Sequence, residues 1–168
     1  VIKGSNLATI LNTYFDPSHH DDIKAMLSQF QSNMQYRFFP GAVAWLDKLR
    51  DAGLPMAVVT SSDEHKMEAV YAQHPGFNDY FESVVVGEMV TKPKPSPECF
   101  LLGARLLGVD IANCYIFEDS INGIEAAHAS GAKVIGLSTT NPKELLQDKA
   151  NLVIDNFEGF TIEKMRSL

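Results

Sequence analysis

The sequence is poor in cysteine: Cys99 and Cys114 are its only two, both in apolar settings. Two cysteines do not make a disulfide scaffold, so a reducing compartment, and with it a cytoplasmic location, is expected. Long apolar runs are missing as well. The longest, such as residues 83–87, have strand length. They fall far short of the roughly 20 residues of a membrane span, so a water-soluble chain with no membrane partner is expected. Clustered positive charge is equally scarce: 14 basic side chains stand against 21 acidic ones, for a net charge of -7, and Lys92 with Lys94 is the longest basic cluster. Phosphate-backbone binding needs grouped Lys and Arg to release counterions, which argues against a nucleic-acid partner. No Gly-rich nucleotide fingerprint, P-loop or Gly-x-Ser-x-Gly elbow occurs. The histidines, His19, His20, His65, His74 and His128, lack the spacing of a zinc site.

What is present is ordinary globular composition, 45% apolar and 21% charged over 168 residues. Such a chain buries roughly 70% of the surface its unfolded form exposes, enough for one main domain with a small satellite. The satellite is expected over residues 1–38. There Leu7, Ile10, Leu11 and Tyr14, and then Ile23, Met26, Leu27, Phe30 and Met34, recur at helical spacing on either side of Asp16-Pro17-Ser18. Two amphipathic helices follow.

After Phe39-Pro40-Gly41 the rhythm changes, and over 39–168 strand-like runs alternate with helical periods. A helix striped by Ala42, Trp45, Leu46 and Leu49 ends near Gly53, and a strand over 55–60 follows. A helix over about 63–74 and a strand over 83–87 come next. Ser96 as N-cap with Pro97 at the first helical position predicts a helix closed by Gly108. The series ends with a strand over 114–118, a helix over about 122–130 closed by Gly131, a strand over 133–137, a helix over about 142–149 and a strand over 152–154. Continuous Val/Ile strands joined by crossover helices imply an α/β, doubly wound fold with a parallel sheet covered on both faces. In such sheets ligands sit beyond the carboxyl ends of the strands.

Three of those strand ends are polar. Thr60-Ser61-Ser62-Asp63 offers hydroxyls and the amides of a helix start, suited to an anion's oxygens, although plain helix capping accounts for the same residues. Lys94, in Lys92-Pro93-Lys94-Pro95-Ser96-Pro97, sits where flanking prolines fix an ammonium as a point charge. A solvated loop lysine is the alternative, and Lys92 competes for the role. Glu118-Asp119 closes the apolar run Cys114-Tyr115-Ile116-Phe117. Two carboxylates there are costly unless a cation meets them, and their hard oxygens suit Mg²⁺, although helix capping explains one of the two. Together the segments supply hydroxyl donors, an ammonium and metal ligands, the parts phosphoryl transfer requires.

With these motifs the sequence resembles the haloacid dehalogenase superfamily, in its β-phosphoglucomutase and phosphatase-like branch with a helical cap domain. Val58-Val59-Thr60-Ser61 is similar to the family's second motif, Lys94-Pro95-Ser96-Pro97-Glu98-Cys99-Phe100 to its third, and Glu118-Asp119-Ser120-Ile121-Asn122-Gly123-Ile124 to its fourth. The resemblance implies a Rossmann-like, three-layer core over 39–168 with a partial helical cap domain over 1–38. It also implies that Thr60 and the Ser61 amide hold the phosphoryl oxygens, that Lys94 bridges phosphate and nucleophile, and that Glu118 and Asp119 hold Mg²⁺ directly or through water. Asn122 is a supporting residue of that site.

One part of the family pattern is missing. No apolar strand ending in Asp-x-Asp occurs, so the nucleophilic aspartate and the general acid/base two residues on are not in the chain. The family's sheet places that strand between those ending at Thr60 and Glu118. Without it the chain is expected to be incomplete and inactive alone, with a divided core and sheet edges open to self-association. The implied activity is Mg²⁺-dependent hydrolysis of a small phosphorylated metabolite through an aspartyl-phosphate. The alternatives are a phosphomutase and a non-catalytic anion-binding or regulatory module.

Overall fold

The computed structural model describes residues 7–168; residues 1–6 of the expected satellite lie outside the described residues. Helix α1 (Leu7–Tyr14) is joined to α2 (His20–Asn33) by a 3-10 turn over Pro17–His19. Asp16 starts that turn, accepting from Ser18 N at 2.9 Å and Ser18 Oγ at 2.6 Å, a local alternative to helical hydrogen bonding that interrupts the helix. The helical period holds here, but the burial expected from it does not. Leu11 is buried, yet Tyr14 is exposed, and on α2 Met26 and Phe30 are 71% and 64% exposed. Spacing decides which side chains share a face; cover must come from another element. The inner residues Ile23 and Leu27 are half-buried instead.

From Ala42 onward helices and strands alternate: α3 (Ala42–Asp51), β1 (Ala57–Val59), α4 (Glu64–Gln73), β2 (Ser83–Val85), α5 (Glu98–Leu107), β3 (Tyr115–Glu118), α6 (Ile121–Ser130), β4 (Lys133–Leu137), α7 (Lys143–Leu146), β5 (Leu152–Ile154) and α8 (Ile162–Arg166). Gly53, Gly108 and Gly131 have positive φ where α3, α5 and α6 close. The expected start of α5 moves by one residue: Pro97 occupies the N-cap position, and Ser96 Oγ accepts weakly from Glu98 N at 3.4 Å. Helix α7 is shorter than expected. Helix α8 was not foreseen, although Thr161 caps it by accepting from Lys164 N.

All strand pairs are parallel, but the strands form two sheets: β1 with β2, and β3 with β4 with β5. Among the described residues, β1 and β3 therefore each pair on one side only. The sheet is divided while the core is not. Side chains alternate between two apolar layers, as the strand period of two requires. Ile116, Val134 and Val153 join Val85, Phe100 and Ile124 on the α5/α6 face, so that layer runs from one sheet to the other. Ile135, Leu137 and Ile154 join Trp45, Phe160 and Met165 on the α3/α8 face. Helices thus cover both faces, giving three layers.

Candidate functional site

Five of the six expected site residues, Thr60, Ser61, Lys94, Glu118 and Asp119, line one cleft of about 1050 Å³. Val59 of β1 and Phe117 of β3 line it from the two open-edged strands, while Leu7, Ile10, Leu11 and Leu27 close it from the α1/α2 side. Thr60, Ser61 and Lys94 also share a small adjoining cavity with Cys99, so the hydroxyl loop and the lysine lie side by side. Asn122, in the first turn of α6, does not line the cleft.

The loop after β1 divides its tasks. Thr60 N donates to Val85 O at 2.9 Å, prolonging the β1–β2 ladder and fixing the strand end. The N-cap of α4 is Asp63, which accepts from Lys66 N at 2.8 Å. Thr60 Oγ1 accepts from Ser62 N at 3.0 Å. At the other end of α4, Gln73 grips the chain that leads from α2 to the core: Gln73 Nε2 donates to Met34 O at 2.8 Å and Tyr36 N donates to Gln73 Oε1 at 3.0 Å. His74 Nε2 lies 2.5 Å from Tyr36 O. Nothing in the sequence pattern marked Gln73 or His74 for this.

The two lysines differ in their surroundings. Lys92 is exposed, whereas Lys94 is 6% exposed, its ammonium 2.7 Å from Glu118 Oε2 and 4.6 Å from the centroid of the Phe100 ring. Glu118 is held from the other side by Ser120 Oγ at 2.7 Å and Ser120 N at 3.0 Å, both donating to Oε1. Burial by itself pushes the Glu118 carboxyl up; the Lys94 ammonium, its hydrogen bond and those of Ser120 outweigh that and hold it below the ordinary glutamate range. Ser120 also N-caps α6 by accepting from Gly123 N at 3.0 Å.

The two carboxylates therefore do different things. Glu118 neutralises Lys94. Asp119 lines the cleft, accepts a hydrogen bond from Thr140 Oγ1 on Oδ2, and has its main-chain oxygen held by Asn141 Nδ2 at 2.8 Å. Thr140 and Asn141 were missed in the sequence, although a hydroxyl-rich run at a strand end, Ser138-Thr139-Thr140-Asn141 after β4, is the same signal that singled out Thr60-Ser61-Ser62. Among the described residues no three His, Cys, Asp or Glu side chains gather as a complete metal site. Asp119 and Glu118 nevertheless offer the hard oxygen donors Mg²⁺ takes, in a cleft with room for water and a phosphate oxygen as further ligands.

Gly123 must be glycine for Glu118 to lie as it does, because a Cβ there would sit 2.0 Å from Glu118 Cδ and 2.4 Å from Oε1. Gly123→Ala is expected to push Glu118 off Lys94 and lower stability by about 1–3 kcal/mol, the usual range for overpacking. Urea denaturation reads this directly, and an unchanged midpoint would contradict the packing described.

A sequence profile described as haloacid dehalogenase-like hydrolase matches residues 7–131. The chain belongs to the haloacid dehalogenase-like hydrolases. Curated relatives include the bifunctional riboflavin kinase/FMN phosphatase of Arabidopsis thaliana, 31% identical over 158 residues, covering 93% of this chain and 42% of that protein. Hexitol phosphatase A of Escherichia coli is 34% identical over 131 residues, 74% of this chain and 56% of that protein. The chain thus spans about half the length of these curated relatives. Among solved structures, a haloacid dehalogenase family IA hydrolase from Entamoeba histolytica superposes with a TM-score of 0.79 at 27% identity, covering 96% of this chain and 75% of that one. A β-phosphoglucomutase from Clostridium difficile, at 20% identity and a TM-score of 0.80 over 99% of this chain and 78% of that one, shares the fold. These haloacid dehalogenase-like folds account for the parallel, three-layer architecture. The described helices give no candidate membrane span.

Proposed function

We propose that this chain supplies most of the catalytic surface of a Mg²⁺-dependent phosphatase of a small phosphorylated metabolite that works through an aspartyl-phosphate in a reducing, cytoplasmic compartment. The observation that carries this reading is the meeting of Thr60, Ser61, Lys94, Glu118 and Asp119 at one cleft beyond the carboxyl ends of parallel strands. Residues 7–38 belong to the cap domain and 39–168 to the core. The open edges of β1 and β3 receive an additional parallel strand ending in Asp-x-Asp, whose first aspartate is the nucleophile and whose second is the general acid/base.

In this arrangement Thr60 Oγ1 and the Ser61 amide donate to the equatorial phosphoryl oxygens. Lys94, oriented by Glu118, holds the attacking carboxylate and the phosphate together and offsets their mutual repulsion. Asp119 and Glu118, the latter also engaged with Lys94 and Ser120, would hold Mg²⁺ directly or through water. Bound Mg²⁺ supplies Lewis-acid stabilisation of the charge on the transferring group. The apolar wall from α1 and α2 excludes bulk water from the cleft. Hydrolysis is favoured over mutase chemistry because the two curated relatives described above carry phosphatase names, whereas the β-phosphoglucomutase likeness is one of fold.

The absence of Asp-x-Asp from the 168 residues favours a second reading, an anion-binding module without catalysis. One experiment separates them. The chain alone is expected to release no nitrophenol from p-nitrophenyl phosphate and to self-associate through its open strand edges on size-exclusion chromatography. The complete protein carrying the additional strand is expected to hydrolyse the ester only with Mg²⁺. Turnover by the chain alone would overturn the missing-nucleophile assignment, and an inert complete protein would favour the binding module.

A further inference from the structure

We propose that Thr140 and Asn141 are positioning residues for Asp119, so that the loop following β4 sets how tightly the site holds its metal. The inference rests on the Mg²⁺ reading above and extends it to residues outside the acidic pair's own segment. Asp119 follows the end of β3, while two of the groups that hold it come from the loop after β4: Thr140 Oγ1 donates to Oδ2 and Asn141 Nδ2 donates to the main-chain oxygen at 2.8 Å. One hydrogen bond fixes the plane of the carboxylate and the other fixes the peptide that carries it. A carboxylate has about four lone-pair sites, and the hydroxyl on Oδ2 takes one of them and orients the group.

The gripping loop is itself anchored. Ser138 N donates to Ile154 O at 3.0 Å and Ser138 Oγ donates to Asp155 Oδ1 at 2.7 Å, which ties the start of the loop to the end of β5. Pro142 fixes the backbone on the far side, with φ of -55°, and α7 then buries Leu146 completely. The orientation of Asp119 is thereby referred to two neighbouring strands instead of resting on one side-chain torsion. Glu118 has a different support, being locked between Lys94 and Ser120. The two members of the acidic pair share one contact, Asp119 N donating to Glu118 Oε1 at 3.2 Å, while their side chains are held by different partners.

The test uses the complete protein and the variants Thr140→Val, Thr140→Ser and Asn141→Ala, with Mn²⁺ binding followed by electron paramagnetic resonance and p-nitrophenyl phosphate hydrolysis titrated with Mg²⁺. Donors behind a metal-holding carboxylate commonly govern 10- to 100-fold in metal affinity, so Thr140→Val is expected to weaken Mn²⁺ binding and raise half-saturating Mg²⁺ by about that factor. Turnover at saturating Mg²⁺ is expected to stay within about threefold of wild type, the split that separates positioning of a metal ligand from loss of transition-state contacts. Thr140→Ser keeps the hydroxyl and should restore wild-type affinity. Asn141→Ala should weaken Mn²⁺ binding without altering the Thr140 hydroxyl. Wild-type Mn²⁺ affinity in Thr140→Val, or a Thr140→Ser protein as weak as Thr140→Val, would overturn the proposal. A wild type that binds Mn²⁺ but does not hydrolyse the ester breaks the phosphatase reading while the resonance comparison still decides this one. A wild type that binds no Mn²⁺ overturns both.

Discussion

Lys94→Met is expected to give the largest combined loss of activity and stability of any single substitution in the chain. The ammonium is buried, 2.7 Å from the equally buried Glu118 carboxylate. Removing one partner of a buried pair strands the other charge, at a cost of about 3–5 kcal/mol. Turnover by the complete protein should fall by about 100- to 1000-fold, as when one preorganised donor to a developing anion is lost. The double variant Lys94→Met/Glu118→Gln separates the two effects. It should recover much of the stability, because no uncompensated charge remains, and none of the turnover. Lys92→Met, at an exposed position, should change neither; a larger effect there than at Lys94 would show that the wrong lysine has been placed in the site.

Asp119→Asn is the second large effect. The amide keeps an oxygen to accept the Thr140 hydroxyl, so the thermal midpoint should hardly move. What it loses is the negative charge that holds the metal. Metal stabilisation of a phosphoryl group in transfer is worth several kcal/mol, and each 1.36 kcal/mol is a factor of ten, so turnover should drop by about 1000-fold or more and lose its response to Mg²⁺. Unaltered turnover with an unaltered Mg²⁺ titration would remove Asp119 from the reaction. Comparison with Glu118→Gln adds a contrast, because that change should act first on Lys94 and on stability.

The positions of the strands were legible because Val58-Val59, Val84-Val85 and Val134-Ile135 are short apolar runs punctuated by glycine, proline and helix-start residues. The periods of two and 3.6 do not say where a ladder stops. Pro55 and Thr60 were expected inside the first strand, and β1 covers only Ala57–Val59. The register with Pro95, Pro97 and Phe100 singles out Lys94 over Lys92, and in the fold the Lys94 ammonium lies over the Phe100 ring. The unequal roles of Glu118 and Asp119 were not legible. They depend on which neighbours arrive from distant segments, Lys94 on one side and Thr140 and Asn141 on the other, and a linear pattern carries no record of such meetings. The exposure of Met26 and Phe30 was hidden for a related reason: an amphipathic period states a need for cover without naming what supplies it.

Helix α4 joins two features that look unrelated along the chain. Its first turn follows directly from Thr60-Ser61, and its last residue, Gln73, clasps the segment leading out of α2. Ten residues of α-helix make a stiff rod about 15 Å long. The hydroxyl loop and the segment leading out of α2 are thereby fastened to opposite ends of one short helix.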